Sequence, residues 1–190
     1  MSLVERLTTI TQSWAELLIQ PAFAHCDTED GPAVQDGRLA LKTGNINFAL
    51  KWVHAEGEDE VRASFEAAGI DRSDHATLPG ERQFLETLVR VHRAGEGAGF
   101  DGIKPTGTVL TPEVVAADAA MESGVIDPLR GLVPDERWAE LETRFKAAQA
   151  KKGFDVDDLD AARDFVAAYV HFYKFAEGED DHHHHGAHSH

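Results

Sequence analysis

Apolar residues recur along most of this chain at steps of three and four. Leu85, Leu88 and Val91 form one such row, and Val166, Tyr169, Val170 and Phe172 form another. That spacing puts each set on one face of a helix. No stretch alternates apolar and polar residues two by two, as a half-buried strand does. The pattern and its punctuation predict a helix running from Pro32 to a terminating Gly44, then helices over about 46–54, 58–68 and 80–96. A second set is predicted over about 112–122, 126–133, 135–151 and 157–177, with Pro134 and Asp155 as start signals for the last two. Pro32 sits where the first helical position tolerates it, and Gly44 suits a left-handed terminus. Asp27, Thr28 and Asp30 stand just ahead of Gly31-Pro32, and Asp30 reads as the cap of that helix. The long helices at 80–96 and 157–177 are expected to be the central pair, and residues 97–111, rich in Gly and Pro, read as a loop.

The two sets echo each other in sequence. At an offset of 80 residues Pro32 falls on Pro112, Val34 on Val114, Gly44 on Gly124, Val53 on Val133 and Phe65 on Phe145. At an offset of 81, Phe84 falls on Phe165, Val89 on Val170 and Glu96 on Glu177. One long period of this kind points to a duplicated block. The expected fold is therefore all-α, a helical bundle built from two internally repeated multi-helix units. Copy one spans about 31–97 and copy two about 111–178, within a domain over 25–178.

The ends read differently. In residues 1–24, Leu3, Leu7, Ile10, Trp14, Leu17 and Leu18 keep helical spacing, Ser2 and Glu5 form a capping box, and Pro21 follows. The segment reads as a retained amphipathic helix. The small-x-small string Ala22-Phe23-Ala24 before His25 keeps a removable leader as the alternative, though an apolar core of the signal type is missing. That lack favours a cytoplasmic protein. Residues 179–190 carry six of the eleven histidines and no large apolar residue, and read as a disordered tail.

Charge narrows the partners. With 34 Asp and Glu against 18 Lys and Arg, the net charge is −16. Nucleic acid and anionic membranes need clustered cations, so neither is an expected partner, whereas metal ions suit this field. A single cysteine excludes an internal disulfide. No apolar run is long enough for a transmembrane helix.

Candidate chemistry lies where the two copies differ. Continuing the row Leu85, Leu88 by helical steps reaches His92 and then Glu96, so both point inward. Glu177 holds the matching place in copy two, with Tyr173 matching His92 and His171 two residues earlier. Inward His and Glu on facing helices are how bundles build metal sites, and they also form plain hydrogen-bonded packing networks. His25, Cys26 and Asp27 add imidazole, thiolate and carboxylate, a set suited to nickel, copper or zinc. Cleavage after Ala24 would add the α-amine of His25. The tail histidines His182, His183, His184, His185, His188 and His190 make a loose sink for the same ions. Arg90 and Arg93 are expected to pair with Glu86 and Glu96. No catalytic triad or phosphate loop is evident.

Two resemblances follow from these residues. His25-Cys26-Asp27-Thr28-Glu29-Asp30-Gly31-Pro32, Thr43-Gly44-Asn45 and the stretch Arg90 to Gly97 resemble a bacterial family of uncharacterised, mostly exported small proteins. That resemblance covers about residues 24–178 and implies a helical domain of unknown activity, with export possible. His25-Cys26-Asp27 is also similar to the opening of nickel superoxide dismutase, where the N-terminal amine, a His and two Cys hold nickel. The second Cys would fall at Asp30 or Gly31, so one thiolate is missing and dismutation is not expected. The reading that follows is a transition-metal-binding helical protein for storage or delivery. A redox or hydrolytic metalloenzyme and a purely structural module are the alternatives.

Overall fold

A computed structural model describes residues 25–70 and 78–178. The amphipathic segment 1–24, the linker histidine His75 and the His-rich tail lie outside them. Among the described residues there are seven α-helices: α1 Pro32–Thr43, α2 Asn47–Leu50, α3 Glu58–Ile70, α4 Leu78–Gly95, α5 Pro112–Ser123, α6 Trp138–Lys151 and α7 Leu159–Ala176. Three short 3-10 turns intervene, at Ala55–Gly57, Asp127–Leu129 and Asp135–Arg137. The described residues contain no strand, only two isolated bridges, Thr28 with Lys104 and Arg130 with Val133. The fold is all-α, as the 3.6-residue period of the apolar rows requires.

Local signals account for the ends. Pro32 and Pro112 each open a 12-residue helix. Gly44 (φ 78°) and Gly124 (φ 76°) close them in the left-handed region, which an L side chain rarely adopts. Each donates its N–H to a carbonyl four residues back, Ala40 and Ala120. The caps depart from expectation. Gly31 is the N-cap of α1 and offers no side-chain bond, while Asp30 instead accepts from the amide of Gly107 at 3.4 Å. Asp158, not Asp155, caps α7 by accepting from Ala161, and Asp155 ties the preceding turn through the amide of Asp157. The stretches expected to be helical at 46–54 and 126–133 shrink to a four-residue helix and a 3-10 turn. In the second, Pro128 has no N–H with which to continue a ladder.

One apolar core runs through both halves of the chain. Val34, Leu50, Val61, Phe84, Leu88 and Val89 are fully buried in the first, and Val114, Leu129, Leu141 and Phe172 in the second. Phe65 meets Phe84 edge-on at 5.4 Å, and Phe145 lies 5.4 Å from Phe172. At Gly37 a Cβ would stand 2.6 Å from Leu85, so glycine is what lets α1 lie close on α4. The close pairings are α4 with α1 and α3, and α7 with α5 and α6. The expected central pair, α4 and α7, is therefore not the closest pairing. The rings of Trp52, Tyr169 and Tyr173 stand between the halves, and helices approach only as closely as the side chains at their contact allow.

Candidate functional site

The turn ahead of α1 is folded inward. His25, Cys26, Asp27 and Thr28 are all buried. Two backbone bonds anchor the turn to the long loop, from Lys104 to the Asp27 carbonyl and from Glu29 to the Lys104 carbonyl, both 2.8 Å. Thr28 returns its hydroxyl to the carbonyl of His25 at 3.2 Å, which closes the turn.

This placement sets His25 and Cys26 against the second half. His25 Nε2 lies 2.6 Å from Asp118 Oδ2, and Tyr169 donates its hydroxyl to Asp118 Oδ1 at 2.7 Å. The Tyr169 oxygen is also 3.3 Å from His25 Nδ1. Cys26 Sγ sits 3.7 Å from the Tyr173 hydroxyl. Burial pushes the Cys26 thiol up to about 12, and the charge of Glu96 adds to this, against a smaller opposing pull from the Tyr173 hydrogen bond. Cys26 is therefore a protonated, inert thiol at neutral pH, not a reactive nucleophile. Burial also pushes Tyr169 and Tyr173 well above the ordinary phenol range, helped by Asp118 in the first case and by Cys26 in the second.

α4 brings His92 and Glu96 to the same junction. His92 is only 4% exposed. Its Nδ1 is 2.8 Å from the carbonyl of Trp52, which can only accept, so Nδ1 carries the proton and Nε2 carries a lone pair. Burial holds the imidazole below its ordinary value, with Glu96 opposing the shift in part. Nε2 has no hydrogen-bond partner, nor does Glu96 Oε2, 3.9 Å away. The other Glu96 oxygen meets Lys174 of α7 at 3.3 Å. Asp27 Oδ1 is a third buried acceptor without a hydrogen-bond partner. Burial pushes the Asp27 carboxyl up, and the charges of Lys104 and Arg93 pull it back. The charge of Arg93 pulls down Cys26, Asp27 and His92 alike, in each case as a lesser influence than burial.

The remaining candidates lie elsewhere. His171 is exposed, and Glu177 Oε1 takes the hydroxyl of Thr111, the cap of α5. Arg90 pairs with Glu60 instead of Glu86, which is taken by Arg82 at 2.9 Å, while Arg93 does lie 3.8 Å from Glu96. The tail histidines fall outside the described residues. Among the described residues, no three His, Cys, Asp or Glu groups stand close enough together to hold one ion. Sequence reasoning passed over Asp118 and Lys174. Asp118 had a signal: it is a lone carboxylate on the face of α5 that also carries Val114, Ala117 and Met121, all buried. Lys174 had none, since it matters only because Glu96 faces it.

No curated protein and no solved structure is significantly similar to this chain. One family model matches residues 30–175, a span that includes His92 and Glu96 and begins just after His25, Cys26 and Asp27. The chain therefore belongs to a family of unknown function, DUF6448.

Proposed function

We propose that this protein binds a transition-metal ion at the junction of its halves, through His92, Glu96 and Asp27, with Cys26 as a thiolate donor. One observation carries the reading: three buried atoms left without hydrogen-bond partners, Asp27 Oδ1, His92 Nε2 and Glu96 Oε2, are electron-pair donors on the candidate residues, Glu177 Oε2 being a fourth in the second half. Buried polar atoms are ordinarily satisfied, and a cation satisfies three acceptors at once. The Nδ1–H of His92 held by a backbone carbonyl is the orienting contact that metal-ligating imidazoles use. Binding has to draw the donors together and release Cys26 from Tyr173. A thiolate and an imidazole together favour zinc, nickel or copper over calcium or magnesium. The tail histidines would serve as a loose collector for the same ions. The likeness to the opening of nickel superoxide dismutase serves only to place nickel among the ions to test.

The test uses the full chain with its six tail histidines replaced by serine, titrated with zinc, nickel and copper. The expected result is one tightly bound ion per chain, and an affinity about 100-fold lower in His92→Ala with Glu96→Gln. Cys26 must lose its proton on binding. Its folded-state value of about 12 lies above the working range, so one proton leaves throughout that range. Affinity should then rise about tenfold per pH unit between about pH 7 and about pH 9, with a flat profile in Cys26→Ser. Absence of a stoichiometric ion, or unchanged affinity in the double variant, overturns the reading.

A structural reading stands beside it, because His25, Cys26 and Tyr169 already have partners across the halves. On that reading His92→Ala alters stability and no ion binds. We also infer that the two halves arose from one duplicated unit. In support, α1, α3 and α4 recur in order as α5, α6 and α7, displaced by about 80 residues, with matching glycine termini on α1 and α5.

A further inference from the structure

We infer that the chain is a two-lobed clamp whose lobes, residues 25–104 and 111–178, part about the segment 105–110 to admit a ligand to the buried donors. The inference rests on the metal reading above and adds how the ion gets in.

Three observations support it. First, among the described residues the close helix pairings all fall within one lobe or the other. What crosses the junction is side chains: the rings of Trp52, Tyr169 and Tyr173, part of one apolar core that runs through both lobes, and around them a set of polar contacts. Asn45 and Asn47 both donate to Asp157 Oδ1, at 2.8 and 3.1 Å. Arg163 donates to the carbonyl of Val53 at 3.0 Å and to Glu58 at 2.6 Å. Polar stitches of this kind exchange with water at modest cost, whereas an interlocked apolar face does not.

Second, the donors lie under this junction. His92 and Cys26 are buried, and Tyr173 and Lys174 approach Cys26 and Glu96 from the opposite lobe. Nε2 of His92 is itself buried, so an ion reaches it only if the groups covering it move.

Third, the connection has a definite place to bend. Up to Lys104 the backbone is bonded into the first lobe through Asp27 and Glu29, and Gly107 adds one longer bond, 3.4 Å, to Asp30. From Thr111 onward it belongs to the second, capping α5 and meeting Glu177. Between them Gly107 has φ 80°, a value that favours glycine, and Val109 is 90% exposed. A few loop residues that absorb backbone rotation between two packed bodies are what a hinge consists of.

These stitches can be cut without replacing any proposed donor. Zinc is mixed rapidly with the full chain carrying serines for the tail histidines, and binding is followed by tryptophan fluorescence, Trp52 lying 5.4 Å from the His92 ring. In Asp157→Ala with Arg163→Ala, association and dissociation should both accelerate about tenfold, because the closed form is weakened equally with and without the ion. The equilibrium affinity should stay within about threefold of the parent. Asp157→Asn, which keeps the shape and loses the charge, should move both rates the same way by a smaller factor, and it stands in if the double variant fails to fold by circular dichroism. Rates unchanged in the folded variants overturn the clamp and leave the metal reading standing. A parent that binds none of zinc, nickel and copper overturns both.

Discussion

Gly31→Ala is expected to be the most damaging single substitution around the site, although it touches none of the proposed donors. A Cβ at Gly31 would stand 2.1 Å from the carbonyl oxygen of His25, 2.9 Å from the Thr28 hydroxyl and 3.1 Å from the Thr28 carbonyl. The first and last are backbone atoms, so no rotamer change relieves the contact. Gly31 has φ −72°, an ordinary value, so the cost is steric and not torsional. The turn carrying His25, Cys26 and Asp27 has to move off Asp118 and Tyr173. The expected loss is about 3 kcal/mol, at the upper end for overpacking, because backbone and not a side-chain end must yield. Urea unfolding measures it. A second readout follows from the chemistry of Cys26: in the parent the thiol is buried and protonated and should resist a thiol reagent, whereas in Gly31→Ala labelling should be much faster. Gly44→Ala is the control. Its φ of 78° makes alanine strained, at about 1 kcal/mol, with no atom within 4 Å of the new methyl, so Cys26 should stay unreactive. Equal labelling of Gly31→Ala and the parent would contradict this account of the turn.

Asp118→Ala is expected to have the next largest effect. Its two oxygens hold His25 Nε2 and the Tyr169 hydroxyl, both on buried side chains, and these are left facing a methyl group. Stranding two buried polar groups costs about 1–3 kcal/mol each. The Asp118 side chain is 37% exposed, so water can enter and replace part of what is lost. The expected loss is therefore about 2 kcal/mol. Asp118→Asn should cost less, since its carbonyl oxygen still accepts from one partner. If Asp118→Ala unfolds at the parent's urea midpoint, the triad of His25, Tyr169 and Asp118 contributes nothing measurable to holding the lobes together.

How far the site was legible depended on how local each feature was. The inward direction of His92 and Glu96 followed from counting along one helix from Leu85 and Leu88. The same counting sets His171 two residues, about 200°, from Tyr169, on the opposite and exposed face of α7. Glu177 repeats the place of Glu96 in sequence, but its carboxylate takes Thr111 at the start of α5, a partner that no spacing within α7 announces. Asp30 shows the same limit. Its residue type suits a cap, yet the chain's path past Lys104 and Gly107 turns its carboxylate to the loop.

The sequence by itself determined what depends on neighbours within a few residues: helices from a 3.6-residue period, their ends from Pro32, Gly44, Pro112 and Gly124, and the inward row that ends in His92 and Glu96. It also determined the net charge of −16. Only the tertiary structure decided what depends on residues far apart along the chain. It set Cys26 against Tyr173, His25 against Asp118, and Lys174 against Glu96. It also determined that the long helices face each other across rings and polar groups instead of packing ridge into groove. The reason is physical: backbone geometry repeats from one residue to the next, whereas a buried polar atom is satisfied or stranded by whichever distant side chain the folded chain brings to it.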